Sequence, residues 1–184
     1  MMFKRHPSNR RISAGVAGGI AICLLVFISS QARATDLSEK LKTVYLVNIA
    51  KFVVWKRGAD QVNLCIHQQA SIFEQALRID GVQIGQGRHL RVIELPGADH
   101  QCDLQFWDAR SIKFRDKELT ERVLEVADLE QDKAEGIEVF LFIDGNRLRF
   151  HIDEGSLSGR EFEISSELRR LSRQQPLPNY QVRQ

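Results

Sequence analysis

The first periodic pattern of apolar residues in the chain lies within residues 37–56. Leu41, Tyr45, Ile49 and Phe52 recur there at spacings of four and three, which places them along one side of an α-helix. The second half of this segment is apolar on most faces, so we expect that half to be well buried. The pattern therefore predicts a helix over 37–56 that contributes to the core.

Shorter apolar runs follow, separated by glycines and polar residues, and they predict strands that alternate with helices. The predicted strands cover residues 61–68, 89–95, 102–109, 123–128, 136–143 and 147–153. The further predicted helices cover residues 71–79, 115–123 and 166–173. The run 136–143 is apolar on both faces, which indicates a strand in the interior of a sheet.

The last two predicted strands are joined by the sequence Asp-Gly-Asn at 144–146, which favours a tight hairpin. In the second of them apolar and polar residues alternate, so one face is apolar and the other carries Arg147, Arg149 and His151. Early alternation of strands and helices, followed by a hairpin, predicts one α/β domain with a mixed, twisted β-sheet flanked by helices.

The N-terminus differs in composition from the rest of the chain. Lys4, Arg5, Arg10 and Arg11 precede an apolar run, and Ala-Arg-Ala at 32–34 supplies the small residues of a cleavage site. We therefore predict a secretory signal peptide that is cleaved after residue 34. The alternative is an uncleaved membrane anchor, but spanning takes about 20 apolar residues, and this run contains three glycines and several serines.

Cleavage also changes the charge of the protein. Loss of the five basic residues of the leader would change the formal net charge from +2 to −3. A slightly acidic chain lacks the electrostatic footprint of a nucleic-acid-binding protein. We divide the chain into a signal peptide (1–34), an exported α/β domain (35–173) that does not span the membrane, and a mobile C-terminal tail (174–184).

The sequence contains no motif that indicates catalysis. The stretch GSLSG at 155–159 is similar to the nucleophile elbow G-x-S-x-G, but its central residue is Leu157. The histidines lie in separate segments without the spacing of metal ligands, so no metal site is predicted. No glycine-rich loop has the spacing of a nucleotide or dinucleotide site, so no cofactor is predicted. We therefore expect a protein that is not an enzyme.

Two cysteines, Cys65 and Cys102, remain after removal of the leader. An even pair in an exported chain is typical of a disulfide, and the alternative is two buried free thiols. The bond would close a loop of 37 residues. A disulfide of this loop length stabilises the folded state by about 3–4 kcal/mol.

Two further groups of residues each have two interpretations. Phe52 and Trp55 either belong to the core or form a surface that binds a partner. The serines at 165 and 166 either cap the N–H groups of the last helix or help to bind an anion.

The anion hypothesis combines Ser165 and Ser166 with Arg147, Arg149 and His151 of the preceding strand. The free N–H groups and hydroxyls at the helix N-terminus would bind a phosphate or carboxylate together with these basic side chains. A site of this kind would make the protein a periplasmic module that binds a small molecule such as a nucleotide.

Three segments of the sequence resemble the YfiR family of exported bacterial proteins. They are VYLVNIAKFVVWK near the mature N-terminus, the strands LCIH and CDLQFW with their cysteines, and NRLRFHID followed by FEISSELRRLS near the C-terminus. The resemblance spans most of residues 41–173. It implies a periplasmic α/β protein without catalytic activity.

The resemblance also implies a function. Better-known members of the family repress a membrane-bound diguanylate cyclase by binding its periplasmic domain, and an outer-membrane lipoprotein can titrate them away. These members link the state of the envelope to cyclic di-GMP and biofilm formation. The cysteine pair would then act as a redox sensor, with a purely structural disulfide as the alternative. The oligomeric state is left open, a homodimer included.

Overall fold

The computed structural model describes residues 36–56, 60–85, 87–97, 101–116, 122–129 and 135–173. The predicted signal peptide and the predicted C-terminal tail lie outside the described residues. Most of the helix predicted at 115–123 also lies outside them, and the described chain before it forms a short 3-10 helix, Ile112–Phe114.

The structure contains three helices and eight strands in its described parts. The helices are α1 (residues 36–51), α2 (Phe73–Ala76) and α3 (Ser166–Arg173). The strands are β1 (Val53–Trp55), β2 (Gln61–His67), β3 (His89–Leu95), β4 (Leu104–Asp108), β5 (Leu124–Asp128), β6 (Val139–Asp144), β7 (Arg147–Ile152) and β8 (Phe162–Ile164).

Six of the strands form one mixed sheet in the order β3-β2-β4-β5-β6-β7. The first five strands in this order are parallel, and β7 pairs antiparallel with β6. The predicted α/β class with a mixed sheet is therefore confirmed. β6 lies between β5 and β7, as its apolar sequence predicts.

The predicted hairpin connects β6 to β7 through Gly145 and Asn146. Gly145 has a φ of 59°, in the left-handed region that a tight hairpin turn requires and that glycine adopts without a steric penalty.

The two faces of the sheet differ in chemistry. Side chains at alternate positions form an apolar face, which includes Leu64, Phe106 and Val126. All three described helices contribute to the same cluster, with Leu46 of α1, Ala76 of α2 and Leu168 of α3. The apolar face and these helices form the main core.

The other face, which we call the second face, carries the intervening positions of the strands. Cys65, Trp107, Ala127 and Phe140 form a smaller apolar cluster there. Among the described residues, no helix belongs to this cluster; the 3-10 residue Ile112 packs against its margin. Further interactions on the second face involve a disulfide and buried charges.

One of these interactions is a disulfide between Cys65 and Cys102. Cys65 lies in β2, and Cys102 lies just before β4, so the bond crosslinks two neighbouring strands. Both cysteines are buried. Because attack on a disulfide requires access by a thiolate, burial fits a structural bond better than a readily reduced one.

The helix predicted over 37–56 ends earlier than expected. α1 ends at residue 51, and the next residues form β1, which pairs antiparallel with β8. The prediction was wrong at this end because β-branched Val53 and Val54 find a strand partner far along the chain, and such pairing leaves no local signal. β8 itself was not predicted.

Both edges of the six-stranded sheet are covered. On β7, Tyr45 Oη donates to the carbonyl of Leu148 (2.5 Å), and the amide of Ile152 donates to Ser172 Oγ (3.1 Å). On β3, the segment 80–82 binds backbone groups of the strand. Groups bonded in this way are not free to template another strand, so the sheet is protected against edge-to-edge association.

We predict that replacement of Cys65 and Cys102 by alanine lowers the free energy of unfolding by about 3–4 kcal/mol, because the unfolded chain loses a crosslink over 37 residues. Equilibrium urea unfolding measures this difference. Wild-type protein unfolded in the presence of a reductant serves as the control and should approach the variant. Equal unfolding midpoints for wild type and variant would contradict a stabilising role.

Candidate functional site

The two aromatic residues that follow α1, Phe52 and Trp55, have different environments. Trp55 is only 7% exposed, its ring packs at 6.1 Å from that of Phe162, and its Nε1 donates to the carbonyl of Ala50 (3.1 Å). Phe52 is half-buried and packs against the main core. In this structure Trp55 is a core residue, so it offers no exposed aromatic surface to a partner.

The outward side of α1 carries apolar residues instead. Leu41 is 40% exposed and Val44 is 51% exposed, and their spacing of three places them on adjacent turns of the helix. Along the predicted stripe, burial increases towards the second half of the helix, since Leu41 is exposed, Tyr45 is half-buried and Ile49 is fully buried. We call Leu41 and Val44 the α1 patch.

The residues of the anion hypothesis are divided between two sides of the sheet. Arg147, Arg149 and His151 occupy the positions of β7 that alternate with its buried apolar residues, as predicted. Helix α3, with Ser165 before its first residue, packs through Leu168 into the cluster on the apolar face. The basic side chains and the helix therefore lie on opposite sides of the sheet.

Several of these residues also have internal roles. Ser165 Oγ accepts the N–H of Leu168 (3.2 Å), which confirms the cap of α3, whereas Ser166 is exposed. Arg149 Nε donates to Asp144 Oδ2 (2.7 Å), and Arg147 is exposed. The structure thus brings the three basic residues of β7 together with each other but not with the serines.

His151 lies half-buried on β7. Burial lowers the pKa of its imidazole, and the negative charges of Asp153 and Glu154 oppose that effect only in part. The neutral imidazole is therefore favoured, which weakens its contribution to an anion site at neutral pH.

The carboxyl ends of β2 and β4 form the point where the strand order reverses, a place where open α/β sheets often bind ligands. Asp108 occupies this point. Its Oδ2 accepts the N–H of Ser71 (2.6 Å), and its Oδ1 accepts from the N–H (3.0 Å) and Oγ (2.8 Å) of Ser111. The carboxylate thereby joins the loops that follow the two strands.

These hydrogen bonds determine the ionisation of Asp108. Burial by itself would raise the pKa of the carboxyl, but the hydrogen bonds from Ser71 and Ser111 outweigh it, and the pKa lies below its ordinary value. Beside this carboxylate, the ring of His67 stacks on Phe114 at 4.2 Å. Neither arrangement has a local signature in the sequence, because each joins the end of a strand to residues of a separate segment.

The second face also contains buried charges that the sequence analysis did not identify. Glu125 of β5 accepts hydrogen bonds from Trp107 Nε1 (2.9 Å) and, on both of its oxygens, from Arg115 (2.8 and 2.5 Å). Glu138, which directly precedes β6, accepts the N–H of Glu125 (2.8 Å) and forms an ion pair with Arg160. We call Arg115, Glu125, Glu138 and Arg160 the charge cluster.

The charge cluster has a structural effect on the sheet. The register between β5 and β6 includes only two residue pairs. By accepting the N–H of Glu125, the carboxylate of Glu138 satisfies a backbone donor at the start of β5. The attraction of Glu125 raises the pKa of Arg115 further above its ordinary value, so this guanidinium stays charged.

Within the described residues, no group of three or more His, Cys, Asp or Glu side chains is placed to hold a metal ion. No helix in the described parts of the chain is long and apolar enough to cross a membrane.

The mixed sheet, its apolar face under α1 and the disulfide on its second face define a small disulfide-bonded α/β domain. The sequence matches the YfiR/HmsC-like family over residues 39–173, and the chain belongs to this family. No curated protein is significantly similar to the chain in sequence. Membership indicates a periplasmic regulatory protein of cyclic di-GMP signalling that interacts with a signalling protein.

We predict that Asp108→Asn lowers the free energy of unfolding at pH 7 by about 1–3 kcal/mol, because hydrogen bonds to a buried carboxylate are weakened. Since the pKa of Asp108 is lower in the folded than in the unfolded state, its stabilisation is present above pH 4 and is lost as pH falls through the folded pKa. Unfolding of both proteins at pH 7 and at acidic pH measures the effect.

The matched control is Glu163→Gln, which changes an exposed carboxylate on the short strand β8. This variant should change the free energy of unfolding by less than about 0.5 kcal/mol. If the difference in unfolding free energy between wild type and Asp108→Asn stayed constant down to acidic pH, the stabilising role of the ionised Asp108 carboxylate would be contradicted.

Proposed function

We propose that the protein is a non-enzymatic periplasmic regulator that binds the periplasmic sensor domain of an inner-membrane signalling protein. In this proposal it represses a diguanylate cyclase and so lowers cyclic di-GMP and biofilm formation. The observation that carries the proposal is the match to the YfiR/HmsC-like family over most of the α/β domain. An outer-membrane lipoprotein that competes for the regulator is part of the same proposal.

Two features of the chain support an exported location. The N-terminal sequence has the charge, apolar run and small residues of a secretory signal peptide. The disulfide is of a kind that persists in an oxidising compartment such as the periplasm. Both are expected of a protein that meets its partner on the outer side of the inner membrane.

For the surface that binds the signalling protein, we favour the α1 patch over Trp55. Leu41 and Val44 are exposed apolar side chains on a rigid helix, whereas Trp55 is enclosed in the core. Phe52, which is half-buried near the end of the same helix, can extend this surface. Apolar side chains on a well-packed helix can be buried by a partner with little loss of conformational freedom.

We predict that deletion of the gene raises cellular cyclic di-GMP and that the wild-type gene restores it. Val44→Glu should fail to restore it, because a carboxylate would be desolvated in the interface. Purified Val44→Glu should unfold within about 0.5 kcal/mol of wild type, since the side chain is exposed. Cyclic di-GMP is measured in cell extracts, and binding to the cyclase periplasmic domain by calorimetry.

The control variant is Leu77→Glu, which changes an equally exposed leucine outside α1 and should behave as wild type. Unchanged cyclic di-GMP on deletion would contradict the cyclase-repressor role. Normal binding by Val44→Glu, with the role itself intact, would show that the partner uses another surface.

A further inference from the structure

The carboxylate of Glu138 is fully buried and is held from two directions. One oxygen accepts the N–H of Glu125 (2.8 Å), and the other faces the guanidinium of Arg160, which is itself almost completely buried. Glu138 belongs to the sheet, whereas Arg160 belongs to the segment that connects β7 to β8. The ion pair therefore joins this segment to the sheet.

We call residues 153–160 the connecting segment. Its first half is organised locally, because Asp153 accepts hydrogen bonds from the N–H of Gly155 (3.0 Å) and the hydroxyl of Ser156 (2.9 Å). In its second half the chain folds back on itself, and Arg160 Nε donates to the carbonyl of Ser156 (3.1 Å). Between these ends, Gly159 has a φ of 79°, and Ser158 and Gly159 are exposed.

The first half of the connecting segment also has contacts outside the segment: the Asp153 N–H donates to the Glu138 carbonyl, Glu154 pairs with Arg169 of α3, and Leu157 packs against the main core. In the turn at 158–160, the side chain of Arg160 forms the ion pair with Glu138. The neighbouring Lys56 donates to the Arg160 carbonyl at 3.4 Å, but this contact is long and exposed. β8 and α3 follow directly, so the position of Arg160 also bears on the β1–β8 pair.

Four ionisable groups lie around Glu138. Glu125 of β5 and Glu138 carry like charges, and Arg160 and Arg115 carry the opposite charge. Arg115 already binds both oxygens of Glu125, so Arg160 is the cation that directly faces Glu138. Asp153 contacts Glu138 only through its backbone N–H, which donates to the Glu138 carbonyl (2.8 Å).

We propose that Glu138 and Arg160 form a proton-sensitive latch, in which proton uptake by Glu138 breaks the ion pair and releases the turn at 158–160 of the connecting segment. A buried guanidinium without its partner is strongly unfavourable, so Arg160 moves into water when Glu138 becomes neutral. Gly159 and the exposed residue before it provide the backbone freedom for this movement.

The local environment places this switch near neutral pH. Burial raises the pKa of Glu138 to about 7, with a further increase from the charge of Glu125, while the N–H of Glu125 and the charge of Arg160 act in the opposite direction. A periplasmic protein experiences the pH of the medium, so a group that titrates there would respond to external acidification.

Protonation of Glu138 also changes the free energy of unfolding, and the sign of this change follows from the pKa of the group in the folded and unfolded states. The pKa of Glu138 is higher in the folded state, about 7, than its ordinary value of 4.5. The folded protein therefore binds the proton more tightly between these values, and acidification from pH 8 to pH 5 does not unfold the domain through this group. The latch opens while the sheet remains folded.

The test combines two measurements on the purified, oxidised protein. Carbon-13 NMR of the glutamate carboxyl groups follows the titration of Glu138, and hydrogen exchange follows the connecting segment between pH 5 and pH 8.5 after correction for intrinsic rates. We expect Glu138 to titrate near pH 7 and amide protection in the segment to fall at least tenfold with the same midpoint. Titration of Glu138 below pH 5, or protection independent of pH, would overturn the proposal.

Variants separate the latch from general effects of pH. Glu138→Gln is permanently neutral and should show low protection of the segment at every pH. Arg160→Gln is a second variant for the case in which Glu138→Gln does not fold. It should abolish the pH-dependent change in amide protection and raise the pKa of Glu138. A pH-dependent step that persists in Arg160→Gln would contradict the proposal.

The matched control is Glu161→Gln. Glu161 is an exposed carboxylate next to Arg160 in sequence and pairs with Arg122 (3.1 Å), so this variant should keep the wild-type transition. Because the test uses the isolated chain, its outcome does not depend on the proposed binding to a cyclase.

Discussion

Glu125 is buried on the second face of the sheet, where none of the described helices packs. The packing of that face depends on the hydrogen bonds of this residue. Its two carboxylate oxygens accept hydrogen bonds from the indole N–H of Trp107 and from one edge of the Arg115 guanidinium, while its backbone N–H donates to Glu138. A carboxylate in such a place is tolerated only when its lone pairs are satisfied. The charge cluster thus links β5, the residue before β6 and two loop segments through hydrogen bonds and ion pairs.

The disulfide completes the same face by a different kind of interaction. It joins β2 to the segment before β4, and it packs with Trp107, Ala127 and Phe140. A covalent bond limits the unfolded chain, whereas the charge cluster acts in the folded state alone. The disulfide and the charge cluster together stabilise a face whose apolar cluster is small. Most of the buried apolar residues belong to the main core under α1.

The sequence predicted the parts of the fold that have a local signature. Strands β2 to β7 follow from apolar runs and alternation, and the hairpin and the α3 cap follow from Gly145 and Ser165. β1 and β8 could not be recognised, because each is stabilised by the other. The charge cluster was not predicted, since Glu138 lies in the predicted strand 136–143 and Arg160 lies in a later loop, and the two become a pair only through the path of the connecting segment.

The β1–β8 pair has a consequence for the order in which the chain folds. β1 follows the first helix, and β8 precedes the last one, so Val53 meets Ile164 only after nearly the whole domain has been made. Contacts between such distant residues form slowly because a long loop must close first. In a chain that crosses a membrane from its N-terminus, α1 and β1 would therefore reach the periplasm before β8, the strand with which β1 pairs. We expect the apolar side of α1 to stay accessible to chaperones until translocation is complete.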